Sequence, residues 1–331
     1  MKTIKRTVAA LLATLMLATS TSFSLAAEEN YSAKEAVVVA KVNAAGIMTG
    51  TDKGFEPSKS LTRAEAAAII VRMKGISESA VKAMAGTTLF TDVPASHWAS
   101  GYVNQASNLG IVKGVSATEF APDREVTIAE FVTMAVRALG AGQLVDSEGT
   151  WPTNYVNFAN ENDLLKDVTA IYTATASRMN AATIVANTLE APMWEKTGVK
   201  SNGEIEWSKS IIAYADKEAI YKTILNDVLN IKVYEDVVIT ANTKDRKVSF
   251  VYGAKSLSFD VADGVDMASL KAGIEYDVWY NNNKDSQEVV GIWKTEAIKQ
   301  DLVSFAEIDN LGDSKVKFVT ENGKKEYNVK N

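Results

Sequence analysis

The sequence has no cysteine and a single histidine. The first absence rules out disulfides and thiolate metal sites. The second leaves little for proton-transfer chemistry. A Ser-His-Asp triad would have to use His97, and no Gly-x-Ser-x-Gly elbow accompanies it. His-Glu-x-x-His and glycine-rich phosphate loops are missing as well. His97 stands beside a helix start, where a structural role accounts for it. A paired-carboxylate glycosidase stays open, because such pairs leave no spacing signature. The expectation is a chain that is not an enzyme and needs no cofactor.

Long apolar runs are also scarce. One lies at the beginning, where Lys2, Lys5 and Arg6 precede Val8 to Ala18 and small residues follow up to Ala26 and Ala27. That order is the pattern of a secretory leader, residues 1–27. The run is too short to span a bilayer, and no later run is longer, so no membrane span is expected. Loss of the leader lowers 35 basic residues to 32 against 41 acidic ones, a formal charge of −9. An acidic chain without basic clusters argues against nucleic acid and against a polybasic membrane surface site.

What the sequence has in quantity is repetition. The best-written unit runs from Phe90 to Leu139. It opens with Phe90-Thr91-Asp92-Val93-Pro94 and His97-Trp98-Ala99, then an apolar stripe at helical spacing, Trp98, Tyr102, Val103, Ala106 and Leu109. Gly110 stands where a helix ends in a left-handed residue. A loop follows with Gly114, Phe120 and Pro122, and Phe120 reads as its apolar plug. Thr127 and Glu130 have the spacing of a capping box that starts a second helix. An earlier copy repeats this order with Gly46 to Gly50, Phe55-Glu56-Pro57 and Thr62-Arg63-Ala64-Glu65. A later, eroded copy places Trp151, Tyr155 and Leu164 each 53 positions after Trp98, Tyr102 and Ile111. There Asp163 replaces Gly110, and Ser177-Arg178-Met179-Asn180 replaces the capping box, with Asn180 expected to be too short to reach back.

These motifs resemble the S-layer homology (SLH) module. The resemblance covers about Tyr31 to Leu189 and implies three helix-loop-helix modules in a pseudo-threefold spindle, with one helix from each in a central bundle. It also implies that grooves between the lobes bind secondary cell-wall polysaccharide through pyruvylated sugar, outside the cell. The expected role is non-covalent anchoring of a secreted surface or S-layer protein, which could also pair with itself in a surface lattice. An SLH-anchored glycan hydrolase or an adhesin is the alternative.

Arg63 invites a ligand reading on physical grounds. A cation in the first helical turn opposes the helix dipole, and capping does not require it. A helix N-terminus with free amides and a guanidinium fork would trap a carboxylate. The copies carry Arg63, Ile128 and Arg178 at this position, so Arg63 is expected to dominate, Arg178 to form a second site, and the groove at Ile128 to be weak. A solvated surface arginine is the alternative. Trp98, Asp92, Gly50 and Gly114 complete the candidate polysaccharide-binding set. For these, core packing, a turn cap and plain turn geometry are the competing readings. Thr62, Glu65, Thr127 and Glu130 are assigned to capping.

The modules are placed at 31–76, 88–141 and 144–192. Residues 193–230 read as a helical connector, with short helices at Ser208 to Asp216 and Glu218 to Leu229. From residue 231 the texture alternates. Val233–Thr240, Val248–Val251, Leu257–Val261, Ile274–Tyr280 and Val289–Thr295 read as strands between turn residues, a small β-barrel or sandwich at 231–300. Asp260, Asp263 and Asp266 lack EF-hand spacing and read as a turn cluster, so no metal is expected. Leu302 to Phe318 echoes Val237 to Phe250, which suggests a partial β repeat at 301–331. The fold class expected overall is mainly α with a C-terminal all-β region.

Overall fold

The computed structural model describes residues 31–294, without 216–217, 244, 254 and 285, together with the strand segments 303–304, 315–320 and 323–328. The leader read at 1–27 lies outside the described residues. So does the 305–314 turn of the partial repeat. The chain divides into two compact units, Tyr31–Lys232 and the part from Val233 onward.

In the first unit each repeat copy forms a helix, a loop and a second helix. The pairs are α1 (Ala33–Ala44) with α2 (Arg63–Met73), α4 (Ser100–Asn108) with α5 (Ile128–Ala138), and α7 (Thr153–Glu161) with α8 (Arg178–Glu190). Two short helices, α3 (Glu78–Ala83) and α6 (Gly142–Ser147), join consecutive copies. Each first helix ends in a left-handed residue: Gly46 at φ +68°, Gly110 at +67° and Asp163 at +59°. Asp tolerates this region better than most side chains, so the third copy keeps the same exit without glycine.

The second helices form the centre. Ala66, Ile70 and Met73 of α2, Val132 and Val136 of α5, and Ala181, Ile184 and Val185 of α8 are fully enclosed. Each second helix packs on the first helix of the next copy, α2 on α4 and α5 on α7, and α8 closes the circle on α1. The ion pair Lys41–Glu190, 2.6 Å, crosses that last seam.

The residues just before the second helices meet at a hub. The Leu61 amide donates to the Ala176 carbonyl (2.9 Å), Ala176 to Val126 (2.8 Å), and Val126 back to Leu61 (2.9 Å). This closed triangle of main-chain bonds sets the threefold arrangement. Leu61, Val126 and Ala176 have no exposed surface.

Residues 193–230, expected as a helical connector, are instead mostly strand. Trp194–Val199 (β1) pairs antiparallel with Ile205–Lys209 (β2), and Ile211–Ala215 (β3) with Glu218–Tyr221 (β4). Short apolar runs do not distinguish helix from strand by period, and β-branched Ile211 and Ile212 with Tyr214 favour strand. A capping box at Thr223 and Asn226 does form here, but it starts only a single π-turn, Ile224–Val228.

The second unit is a five-stranded sheet in the order β7-β6-β5-β8-β9, with β5 Ile231–Thr243, β6 Lys247–Tyr252, β7 Lys255–Asp260, β8 Glu275–Asn281 and β9 Glu288–Lys294. A parallel bridge between Val261 and Val289 brings the two edges together, the closure of a small barrel. Tyr234, Ile239, Val248, Phe250, Val278 and Val289 fill its interior. The three aspartates go separate ways: Asp260 pairs with Lys247 and Asp263 with Arg246, while Asp266 accepts from the Ala268 amide. The last strands, β10 Val303–Ser304, β11 Lys315–Thr320 and β12 Gly323–Asn328, form an antiparallel set of three.

The chain is therefore not mainly α. Among the described residues the strands cover nearly as many positions as the helices, because the connector is built of hairpins and a five-stranded sheet follows it. Since Leu61 sits fully enclosed at the hub, Leu61→Ala should lower stability by about 2–5 kcal/mol, read from chemical denaturation.

Candidate functional site

The helix starts that suggested an anion trap are already occupied. The amides of Arg63 and Ala64 donate to the carbonyls of Arg124 (2.9 Å) and Pro122 (3.0 Å) in the second copy's loop. Those of Arg178 and Met179 donate to Lys59 and Pro57, and those of Ile128 and Ala129 to Ala174 and Tyr172. The third position is taken by the cap: Glu65 donates to Thr62 Oγ1 and Glu130 to Thr127 Oγ1, and each glutamate reaches back to the cap amide at 2.9 Å. Asn180 also reaches back, its Oδ1 accepting from the Ser177 amide at 3.2 Å, so the third capping box is intact despite the shorter side chain. No amide of the first turn is left for a ligand at any of the three helices.

The arginines point inward. Arg63 is 5% exposed. Its Nε donates to the Phe120 carbonyl and its Nη2 to that of Lys113, both at 2.8 Å. Its guanidinium lies 4.8 Å from the centre of the Phe120 ring, and Nη1 stands 3.6 Å from Glu130 Oε1. Burial pulls its pKa below the ordinary value, and Glu130 opposes that shift. Arg178 repeats the pattern one copy over, donating to Phe55 (2.7 Å) and Thr49 (3.1 Å) and lying over the Phe55 ring at 5.0 Å. Each arginine thus staples its helix to the loop of a neighbouring copy. The position of the phenylalanine plug is Ala170 in the third copy, and the residue facing that loop is Ile128, fully buried. Arginine and plug are lost together.

Asp92 is a clamp inside its own copy. Its carboxylate accepts from the amides of Phe120 (2.9 Å) and Ala121 (2.6 Å). Burial would raise its pKa, but these amides outweigh it and hold the carboxyl below the usual carboxylate range. Gly114 serves the same loop: a Cβ there would lie 2.3 Å from the Ser116 carbonyl oxygen and 2.6 Å from that of Glu119. Gly50 follows Thr49, whose carbonyl receives Arg178. His97 accepts the Ala99 amide at its Nδ1.

One groove does gather polar side chains from all three copies. It has a volume of about 90 Å³ and is lined by Ile47, Met48 and Thr49, by Glu65, Ala68, Ile69 and Arg72 of α2, by Trp98, and by Arg178. Trp98, for which core packing was the competing reading, is 58% exposed; its indole stacks on His97 with ring centres 5.9 Å apart. Of the candidate polysaccharide-binding set, Trp98 and Arg178 meet here, beside Glu65 of the capping box. Arg63, Asp92, Gly50 and Gly114 are not among the lining residues.

Arg72 and Tyr102 were missed by sequence reasoning. Arg72 donates to Glu78 Oε1 (3.0 Å) and to the Tyr102 hydroxyl (2.8 Å), which in turn donates to Glu78 (2.6 Å). The next copy repeats the triad as Arg137, Tyr155 and Asp146. The signal was available: an arginine recurs ten residues after Thr62 and after Thr127 on helices that are otherwise nearly all apolar.

The chain matches the S-layer homology domain family over residues 31–67 and 89–132. It carries S-layer homology domains. The two matches fall on the first and second copies of the helix-loop-helix unit. Relatives include the middle cell wall protein of Brevibacillus brevis, 28% identical over 340 residues, 95% of this chain and 30% of that protein. The surface layer protein of Brevibacillus choshinensis is 36% identical over 173 residues, 50% of this chain and 15% of that protein. The cellulosome-anchoring protein of Acetivibrio thermocellus is 28% identical over 150 residues, 41% of this chain and 33% of that protein. The chain thus spans no more than about a third of the length of these relatives.

Two outcomes follow from the staples and the clamp. Arg63→Ala should destabilise the first unit by about 3 kcal/mol in denaturant titration, because it leaves the buried Phe120 carbonyl and the part-buried Lys113 carbonyl without their charged donor. Asp92 has a depressed folded pKa, so its contribution is present at neutral pH and is lost as pH falls below about 4. Asp92→Asn should therefore melt lower than the parent at pH 7, with the difference shrinking below about pH 4.

Proposed function

We propose that the chain is a non-covalent anchor that holds a secreted surface protein to the bacterial cell wall, and that its SLH unit binds an acidic wall polysaccharide bearing pyruvate ketals. The chain is a cell-surface protein: it carries S-layer homology domains, and its relatives are named for the cell wall, the surface layer and cellulosome anchoring. Among the described residues no helix is long and apolar enough to cross a membrane.

One observation carries the ligand reading. The groove at Trp98 sets an exposed indole beside guanidinium groups over an apolar floor. Indole faces pack against the C–H faces of sugars, and guanidinium groups select a carboxylate on an otherwise neutral chain. A pyruvate ketal supplies that carboxylate. The role is binding rather than catalysis, and assembly into a surface lattice with further copies is compatible with it.

Sedimentation with purified wall sacculi tests the reading. The chain should pellet with intact sacculi, lose at least about tenfold in affinity once the ketals are removed by mild acid, equivalent to roughly 1.4 kcal/mol, and release no new reducing ends. Full retention on sacculi stripped of their accessory polysaccharide would overturn it.

A further inference from the structure

Two clefts of this unit are equivalent by sequence, yet they are built differently. The first has Arg72 on its central helix and Trp98 from the following copy; the second has Arg137 and Trp151 at the same repeat positions. In the second, Trp151 is latched: its Nε1 donates to Thr133 Oγ1 at 3.0 Å. The corresponding position in the first is Ala68, which has no hydroxyl to offer.

The arginines differ in the same sense. Arg137 donates to the Tyr155 hydroxyl (3.2 Å) and to the main-chain carbonyl of Ile111 (3.3 Å), while the carboxylate of its triad, Asp146, accepts from Tyr155 (2.9 Å). Arg72 is held by Tyr102 and by the carboxylate of Glu78, and the side chains of Arg72 and Glu78 are 36% and 66% exposed. An exposed ion pair is exchangeable at small cost. Glu78 therefore presents a carboxylate to Arg72 where a ligand carboxylate could take over.

We propose that Arg72 is the specificity-determining cation of the saccharide site, that Glu78 is its internal competitor, and that in the second cleft the Trp151 N–H and the Arg137 guanidinium are already engaged by Thr133, Tyr155 and Ile111, so the unit binds one acidic glycan end through the first cleft. This rests on the wall-polysaccharide reading and adds which cleft and which cation carry it. The chemistry is an exchange of ion-pair partners. The ligand carboxylate displaces that of Glu78 from the guanidinium, and no covalent bond changes. Arg178, stapled to two carbonyls at the back of the groove, serves to hold the loop in place.

Titration calorimetry of the full chain with purified pyruvylated wall polysaccharide, before and after removal of the ketals, decides the matter. Arg72→Gln should weaken binding of the intact glycan at least about tenfold and leave the weak binding of the stripped glycan unchanged. Glu78→Gln should tighten binding of the intact glycan about two- to fivefold, a gain that a merely structural role for Glu78 would not produce. Trp98→Ala should weaken binding, and Trp151→Ala should not. If the parent binds the intact glycan but Arg72→Gln binds equally well, or Glu78→Gln binds more weakly, or Trp151→Ala loses binding, this assignment is wrong while the anchoring reading survives. If the parent itself does not distinguish intact from stripped glycan, the anchoring reading fails first.

Discussion

Three main-chain hydrogen bonds, passed in a circle between Leu61, Val126 and Ala176, fix the geometry on which the rest of the first unit depends. Each amide of the triangle is satisfied only by a different copy of the repeat. No copy can complete its own helix start either: the first two amides of α2, α5 and α8 all take carbonyls from a neighbouring loop. Buried amides without partners are costly, so the three copies fold as one cooperative body rather than as beads. The hydrophobic seams obey the same cyclic order, with α2 on α4, α5 on α7 and α8 on α1.

The charged groups in this interior reinforce that order. Arg63 and Arg178 are sunk into neighbouring copies, where charged donors meet main-chain carbonyls and aromatic faces. A guanidinium can be buried because every edge of its fork finds an acceptor or a ring. Trp98 and Arg72 stand instead at the groove, at the junction of copies, and are far more exposed. The same residue type thus occurs at two depths, buried in the staples and partly exposed at the groove.

Much of this was legible in the sequence. The repeats, the capping boxes at Thr62 and Thr127, the helix exit at Gly110 and the five strands beyond residue 231 follow from local patterns. The inward turn of Arg63 was not, because occupation of a helix start by another copy's carbonyls is a long-range fact that no local pattern records. The same holds for Asn180, whose short side chain reaches the cap amide once the backbone is fixed. The β3–β4 hairpin stands where short helices were expected at Ser208 to Asp216 and Glu218 to Leu229, because runs as short as Ile211 to Ala215 carry no decisive period. Arg72 was overlooked through reading its helix for apolar periodicity alone.

The circle closes at three, and that frees the third copy in one respect while binding it in another. It has lost the phenylalanine plug, the arginine staple on its loop and, at Asn187, the groove arginine, yet α8 still seals against α1 and Ala176 still completes the triangle. Removing it would lay bare one face of α1 and strand amides in both remaining copies. A copy stripped of its plug and its groove arginine can therefore persist as a keystone, because its seams are what the circle needs.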